Sequence, residues 1–321
     1  MMSDLGSVAV TGAAGFLGSH LVAGLRARSI RVLPIVREID ARSPEGSRSL
    51  TSVLGDPRSL DGLDALIHSA AIRHRHGAKP QEYYASNVEM VRGLLDACGS
   101  RVRRFVFVSS VGVYGFPSAL PITEAFPFAP RTLYSQTKVE AERLVRELAT
   151  AHELEFTIVC PTIFYGPNDD GMLPKLAAMI RAGRYLVVGD GRNTLHHAHV
   201  DDVVEGIRLA ALLPAAAGED MILAGPETIT LEGLSRLVAS VVGADVPRLH
   251  VPAWLARAVA TGVEVARYRD FAFAQRELPV QHDKLDVMTL SIAFDTSKAT
   301  RLLGFAPRVA YAEGIARTLI S

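Results

Sequence analysis

Cysteine, tryptophan and net charge are all in short supply in this chain. Only two cysteines occur, Cys98 and Cys160, each inside an apolar or helical segment. That excludes a disulfide framework and makes a reducing cytoplasm the expected setting. Basic and acidic residues cancel to a formal net charge of zero, and no basic run stands out. Nothing therefore favours a nucleic acid or an anionic membrane surface as partner. No long hydrophobic run is present either. The most apolar late stretch, Val251 to Ala266, is broken by Arg257 and Glu264 and is too short and too charged to span a bilayer. It reads as an amphipathic helix covering a substrate pocket, with peripheral membrane contact as the lesser alternative. Internal repeats and low-complexity tracts are missing, and Met1 to Gly6 lack the basic-then-apolar pattern of a signal peptide.

What is present is a large apolar fraction, 49% of 321 residues, enough for one large or two intimately joined domains. Near its start, Val8-Ala9-Val10 leads into Thr11-Gly12-Ala13-Ala14-Gly15-Phe16-Leu17-Gly18, after which Leu17, Leu21, Val22 and Leu25 recur at helical spacing. Glycines at such a strand-to-helix turn let backbone approach a pyrophosphate, and the helix start offers unpaired amides and a positive dipole end. A dinucleotide is the expected ligand, held by Gly12, Ala14, Gly15, Phe16, Leu17 and Gly18.

Strand-like runs at Val8 to Val10, Arg31 to Val36, Ala65 to Ala70, Phe105 to Ser109 and Phe156 to Cys160 alternate with helical patterns such as Asn87 to Ala97 and Tyr134 to His152. The alternation predicts an α/β fold, a Rossmann-type doubly wound parallel sheet with helices on both faces. Residues 1–165 form its nucleotide-binding domain, joined by a later strand and helix from about 185–215. After Pro161 the texture changes, through a helical Met172 to Ala182 and a proline-punctuated tail. Residues 166–321 are expected to form mainly a smaller substrate-binding lobe, interleaved with the first domain. The second strand ends at Arg37, where binders of the unphosphorylated cofactor place an acid, so NADP is preferred over NAD. Asp56, expected after a further strand and Gly55, is placed to accept a hydrogen bond from the adenine amino group.

Tyr134 and Lys138 lie four residues apart on one helical face. A cation beside a phenol is expected to lower the phenol pKa from about 10 toward the working range, giving a general acid or base for a carbinol or carbonyl oxygen. Upstream, Phe105-Val106-Phe107-Val108-Ser109-Ser110 delivers two hydroxyls to the carboxyl end of a strand, on the sheet edge that carries the glycine turn. One of them can orient the reacting oxygen.

With those residues in place, the chain resembles the extended short-chain dehydrogenase/reductase superfamily over nearly its whole length. The resemblance is carried by the turn Thr11 to Gly18, His68-Ser69-Ala70-Ala71, Asn87, Ser109-Ser110-Val111-Gly112-Val113-Tyr114-Gly115, Tyr134-Ser135-Gln136-Thr137-Lys138, Pro161 and His199-Val200-Asp201-Asp202-Val203. It implies Tyr134 as acid/base, Ser110 as donor to the substrate oxygen, and Lys138 as a ligand of the nicotinamide ribose that also tunes Tyr134. Asn87 would serve the proton relay or the helix geometry behind them. Ala70, Ala71, Ser109, Pro161 and Ile163 join the cofactor site on the same grounds. The resemblance also implies a homodimer that pairs helices, including the one bearing Tyr134.

Sugar-nucleotide epimerases of this superfamily usually grip the substrate diphosphate with two arginines. Here Leu195 takes the first position, and His282-Asp283-Lys284-Leu285-Asp286 replaces the second element. Losing two charge-assisted phosphate clamps counts against a nucleotide sugar. By contrast, Gly189 to Asn193, Val203 to Gly206, Val251 to Trp254, Phe294 to Ala299 and Leu303 to Pro307 are similar to the branch of 3β-hydroxysteroid and sterol 4-carboxylate dehydrogenases. The expected activity is hydride transfer between nicotinamide and a secondary alcohol or ketone on a sterol-like or lipid-like substrate. The alternatives are a nucleotide-sugar epimerase or 4-keto-reductase at the same site, or a non-catalytic NADP-sensing protein. A dehydratase is disfavoured because Val111-Gly112 offers no acidic pair. Histidines crowd at His74/His76 and at His196/His197/His199. Without matching cysteine or acidic spacing no metal site is expected, and Arg73, His74 and His76 are assigned to the substrate entrance.

Overall fold

A computed structural model describes the backbone of residues 6–73, 77–246, 249–269 and 282–320, with side chains for all of these except 263–269 and 282–284. Six strands of the first half are β1 (Ser7–Thr11), β2 (Arg31–Val36), β3 (Arg48–Ser49), β4 (Leu63–His68), β5 (Val102–Val108) and β6 (Glu155–Pro161). A seventh, Asp220–Leu223, completes one sheet, whose order from that edge is Asp220–Leu223, β6, β5, β4, β1, β2, β3. Every neighbouring pair is parallel. The recruited strand lies downstream of the segment 185–215 expected to supply it. The short strands within that segment, Val187–Val188, Thr194–Leu195 and Ala198–His199, pair outside the main sheet.

Buried central strands need apolar residues on both sides, and the runs supply them: β1 is buried throughout and Phe105, Val106 and Phe107 of β5 are fully enclosed. On one face α1 (Phe16–Arg26) packs with a later helix, Val200–Leu212, through Leu21, Leu25, Val203 and Ile207. On the other, two helices, Met90–Cys98 and Leu133–Ala151, bury Leu94, Leu95, Leu144 and Val145. A fully buried Arg104 ties β5, β6 and Val200–Leu212 together. Its guanidinium donates to Glu155 at 3.0 and 2.7 Å and to the carbonyls of Ala210 and Leu213. Charge-assisted, fully satisfied contacts of this kind let an arginine stay inside.

Two local differences from the sequence expectation matter for the site. The strand expected before Asp56 shrinks to the two residues of β3, and Leu50–Gly55 is helical because Ser49 accepts a hydrogen bond from the Ser52 amide and starts a helix. The helix carrying Tyr134 begins at Leu133, where Thr132 and Ser135 form a reciprocal capping box.

The C-terminal region has its own core of Tyr165, Leu173, Leu176, Leu195, Leu234, Tyr311 and Ile315. The stretch expected to cover a pocket is a helix, Ala253–Arg269. It turns Ala256 and Ala260 inward against Val188 and Leu285, while Trp254 is 70% exposed. Leu255 and Val259 are exposed as well, and the inward contact described for this helix is made by the small Ala256 and Ala260. Among the described residues no helix is long and apolar enough to cross a membrane.

Candidate active site

The strand order reverses between β1 and β4, and both first turns of the proposed cofactor site lie there. Gly12 has φ +69°, a conformation that side chains rarely adopt, and a Cβ on it would meet the Ala70 backbone at 2.9 Å. A Cβ on Gly18 would fall 2.0 Å from the Gly12 carbonyl oxygen, so that glycine lets α1 press onto the turn. Ala14 and Gly15 are exposed, Gly15 caps α1 without any side-chain hydrogen bond, and the first turn of α1 holds no acid. Open amides at a helix start, where the Gly12 turn packs directly on the Ala70 backbone, suit the pyrophosphate of a dinucleotide. Phe16, stacked on Phe164 at 5.8 Å, and Leu17 hold the helix in place from the core side.

Arg37 is exposed just past β2, and Asp56 is exposed with its carboxylate 3.2 Å from Arg58. Ala70 is half-buried and Ala71 exposed after β4, Pro161 ends β6 in a buried position, and Ile163 is 41% exposed.

The chemistry-bearing residues converge where β5 ends against the helix Leu133–Ala151. Ser110 accepts a hydrogen bond from the Gly112 amide at 3.1 Å, which fixes its hydroxyl, and that hydroxyl stands near enough to the Tyr134 phenol to favour its ionised form. Lys138 is buried, donates to the Val108 carbonyl at 2.7 Å and places its ammonium 4.4 Å from the Phe107 ring centroid and 6.0 Å from that of Tyr134. Cation–π contact with a desolvated ammonium contributes on the order of 1–2 kcal/mol.

The electrostatics differ from the expectation. Burial pushes the Tyr134 phenol up to about 12, and the cation that pulls it back is Arg73, helped by the Ser110 hydroxyl. The Lys138 ammonium instead faces the Phe107 ring and the Val108 carbonyl. Burial brings Lys138 itself down to about 8. Arg73 was legible as an entrance residue; its proximity to the phenol was not, because it arrives from the loop after β4. His74 and His76 lie outside the described residues, so their assignment to the entrance has no structural counterpart.

Asn87, within the π-helical turn Ala85–Glu89, is fully committed to positioning. Its side chain accepts from the Ile72 amide at 2.8 Å and donates to the Ile72 carbonyl at 3.0 Å and to Thr137 Oγ1 at 2.9 Å. It therefore pins the loop carrying Arg73 to the helix carrying Tyr134. Ser109 corrects another expectation: its hydroxyl points inward and donates to Glu142, leaving only its backbone for a cofactor. His196, His197 and His199 are built into the C-terminal region. His196 Nε2 meets the Gly225 carbonyl at 2.9 Å, the His197 amide donates to the Tyr311 hydroxyl, and His199 caps the helix Val200–Leu212. Leu195 is buried in the same core, and the side chains of His282, Asp283 and Lys284 lie outside the described residues.

A cleft of about 590 Å³ opens in this region beside the helix Ala253–Arg269, lined by Val188, Gly189, Asn193, His250, Pro252 and Thr289 among others.

An α/β sheet with a glycine turn at its switch point and a Ser, Tyr and Lys at the next strand end defines a nicotinamide-dependent enzyme of the short-chain dehydrogenase kind. Residues 8–224 match the model of the NAD dependent epimerase/dehydratase family, and the chain belongs to that family, part of the extended short-chain dehydrogenase/reductase superfamily. It is 31% identical over 338 residues to a 3 beta-hydroxysteroid dehydrogenase/Delta 5-->4-isomerase of Mycobacterium tuberculosis, covering 96% of this chain and 88% of the relative. It is 30% identical over 318 residues to a 4-hydroxy-2-methyl-3-oxo-4-farnesyl-3,4-dihydroquinoline-1-oxide ketoreductase of Stigmatella aurantiaca, covering 95% and 93%. A solved UDP-glucuronic acid 4-epimerase from Bacillus cereus in complex with NAD has the same fold, with TM-score 0.74, 22% identity and 97% of each chain covered. The protein is thus an enzyme of an NAD-dependent dehydrogenase and epimerase family.

Proposed function

We propose that this enzyme transfers hydride between a nicotinamide cofactor and a secondary alcohol or ketone on a hydrophobic, sterol-like or lipid-like substrate. The observation that carries the reading is the convergence of Ser110 and Tyr134 at the end of β5, with the Lys138 ammonium behind them. The cofactor, when bound, supplies or accepts the hydride. Gly12, Ala14, Gly15, Phe16, Leu17 and Gly18 would hold its pyrophosphate, and Ala70, Ala71, Pro161, Ile163 and the Ser109 backbone would line its path. Tyr134 holds or takes the proton of the reacting oxygen, and Ser110 orients that oxygen by a hydrogen bond. Lys138, placed beside both, would hold the nicotinamide ribose. Exposed Arg37 at the end of β2 supports NADP as the preferred form, since a guanidinium suits a 2′-phosphate.

Substrate class follows from two observations. Leu195 puts an apolar side chain where a diphosphate clamp would stand. The named substrates of the steroid and farnesyl-quinoline relatives fit the same chemistry. The shared fold with a UDP-sugar epimerase keeps nucleotide sugars as the second reading.

Tyr134→Phe tests the mechanism: cofactor titration should stay near wild type while turnover falls at least about a thousandfold. Unchanged turnover removes Tyr134 from the reaction. A thermal-shift screen with cofactor present should show stabilisation by sterols or long-chain hydroxy compounds over UDP- and TDP-sugars; the reverse order replaces the substrate class. Arg37→Ala should weaken NADPH binding selectively, and equal loss of NADH binding defeats the NADP assignment.

A further inference from the structure

Tyr134, Lys138 and Glu142 follow one another at four-residue spacing along the helix Leu133–Ala151, on one face. Glu142 is only 1% exposed and has had no part in the site so far. Its Oε1 accepts from the Ser109 hydroxyl and from the Cys160 thiol, the latter at 3.8 Å. Burial raises the Glu142 pKa, and the Ser109 hydroxyl, the Arg146 guanidinium and the Lys138 ammonium pull it back toward the carboxylate. One turn away Lys138, 2% exposed, donates to the carbonyl of Val108, the residue next to Ser109. A buried ammonium this far from water needs a negative partner to remain charged.

We propose that Glu142 is the counter-charge that keeps Lys138 an ammonium, anchored by Ser109 and Cys160, and so a positioning residue that acts on the site through Lys138. The surrounding charges are compatible with the pairing. Lys138 is faced by Tyr134 and Glu142 from its own helix, by His68 from β4 and by Cys160 from β6. Burial drives His68 to about 3, so it is neutral and adds no competing cation. Glu142 is faced by Lys138 and Arg146 from its own helix, by Cys160, by Tyr114 after β5, and by Asp220 on the edge strand. Asp220 opposes a second negative charge, but Lys298 at 3.2 Å and Arg146 at 3.7 Å offset it. Burial lowers Lys138, and Glu142 is the largest influence that raises it again.

What the Lys138 charge does for turnover rests on the function proposed above; the pairing does not. The test is a pH titration by NMR of protein labelled at the lysine ε-carbon, with Lys138 assigned against a Lys138→Met variant among Lys79, Lys175, Lys284 and Lys298. In Glu142→Gln, which keeps an acceptor for Ser109 but removes the charge, the Lys138 midpoint should fall by roughly one pH unit or more. Glu142→Asp should restore part of it. An unchanged midpoint in folded Glu142→Gln overturns the proposal. A lowered midpoint with an unchanged pH profile of turnover upholds the pairing and overturns the role given to Lys138. Should the variant fail to fold, the Glu142 carboxyl carbon of wild-type protein at pH 7 decides: an ionised signal supports the pairing, a protonated one sinks it.

Discussion

Gly12 and Ala70 approach so closely at the sheet's switch point that a methyl group on the former would lie 2.9 Å from the backbone of the latter. Gly12 also has positive φ, so any side chain there meets both a strained backbone and a wall. Gly46 shares the conformation, φ +75°, with nothing within 4 Å. The pair separates strain from occlusion. Gly46→Ala should cost about 1 kcal/mol of stability and leave cofactor titration unchanged. Gly12→Ala should abolish detectable NADH and NADPH binding by fluorescence titration; equal binding by the two variants would remove the turn from the cofactor site.

Asn87 makes three buried hydrogen bonds that join two separate segments. Asn87→Ala strands the Ile72 amide and carbonyl, each costing about 1–3 kcal/mol when left unsatisfied. Urea unfolding should show a loss of roughly 3 kcal/mol, and turnover should fall further than stability alone explains because Arg73 loses its anchor to the helix of Tyr134. A stability loss below about 1 kcal/mol would show that water replaces the clamp.

Arg73 is the cation that favours the Tyr134 phenolate. Removing it as Arg73→Gln should raise the phenol pKa, so the limb of the kcat/KM profile that reports Tyr134 should move to higher pH. Arg73 is exposed, so the displacement should be modest, a few tenths of a unit, and should shrink with added salt. A shift to lower pH, or none at low salt, would contradict the assignment.

His68 and His197 are buried and held down to about 3 and about 4. Their ordinary value is 6.5, so the unfolded chain takes up protons on them before the folded protein does. Stability is fully present above pH 6.5 and is lost as pH falls from there toward 3 to 4. Unfolding free energy by urea should decline across that window, less steeply in His197→Gln, once the carboxylates common to both proteins are subtracted. Identical slopes would mean that His197 titrates normally.

The parts of the fold built from local pattern were legible. Arg31–Val36 is a strand as read, and the other strands differ by a few residues at their ends because pairing, not composition, decides where a ladder stops. What failed was non-local. Asp220–Leu223 is a four-residue strand that earns its place only by lying along β6. The further strand expected ahead of Gly55 and Asp56 is displaced by the helix Leu50–Gly55, whose apolar residues are too few to show a period and whose Ser49 cap decides for helix. The glycine turn, Ser110, Tyr134 and Lys138 could be picked out because their spacing along the chain is informative. Arg73 could be read as an entrance residue but not as a neighbour of the phenol, and Glu142 shares the four-residue spacing but not a visible purpose, since its contacts to Ser109 and Cys160 exist only across packed elements. The direction of the Tyr134 shift was misread for the same reason: four residues on a helix predict proximity but not how much water is removed.

The threading of the main sheet bears on any attempt to dissect the molecule. Excising residues 1–165 as an autonomous nucleotide-binding module would amputate both Val200–Leu212 and the Asp220–Leu223 strand. The outer edge of β6 would be left bare and Arg104 stripped of two carbonyl partners, a surface prone to self-association. The first half therefore completes its sheet and its helix layer only with residues from the second.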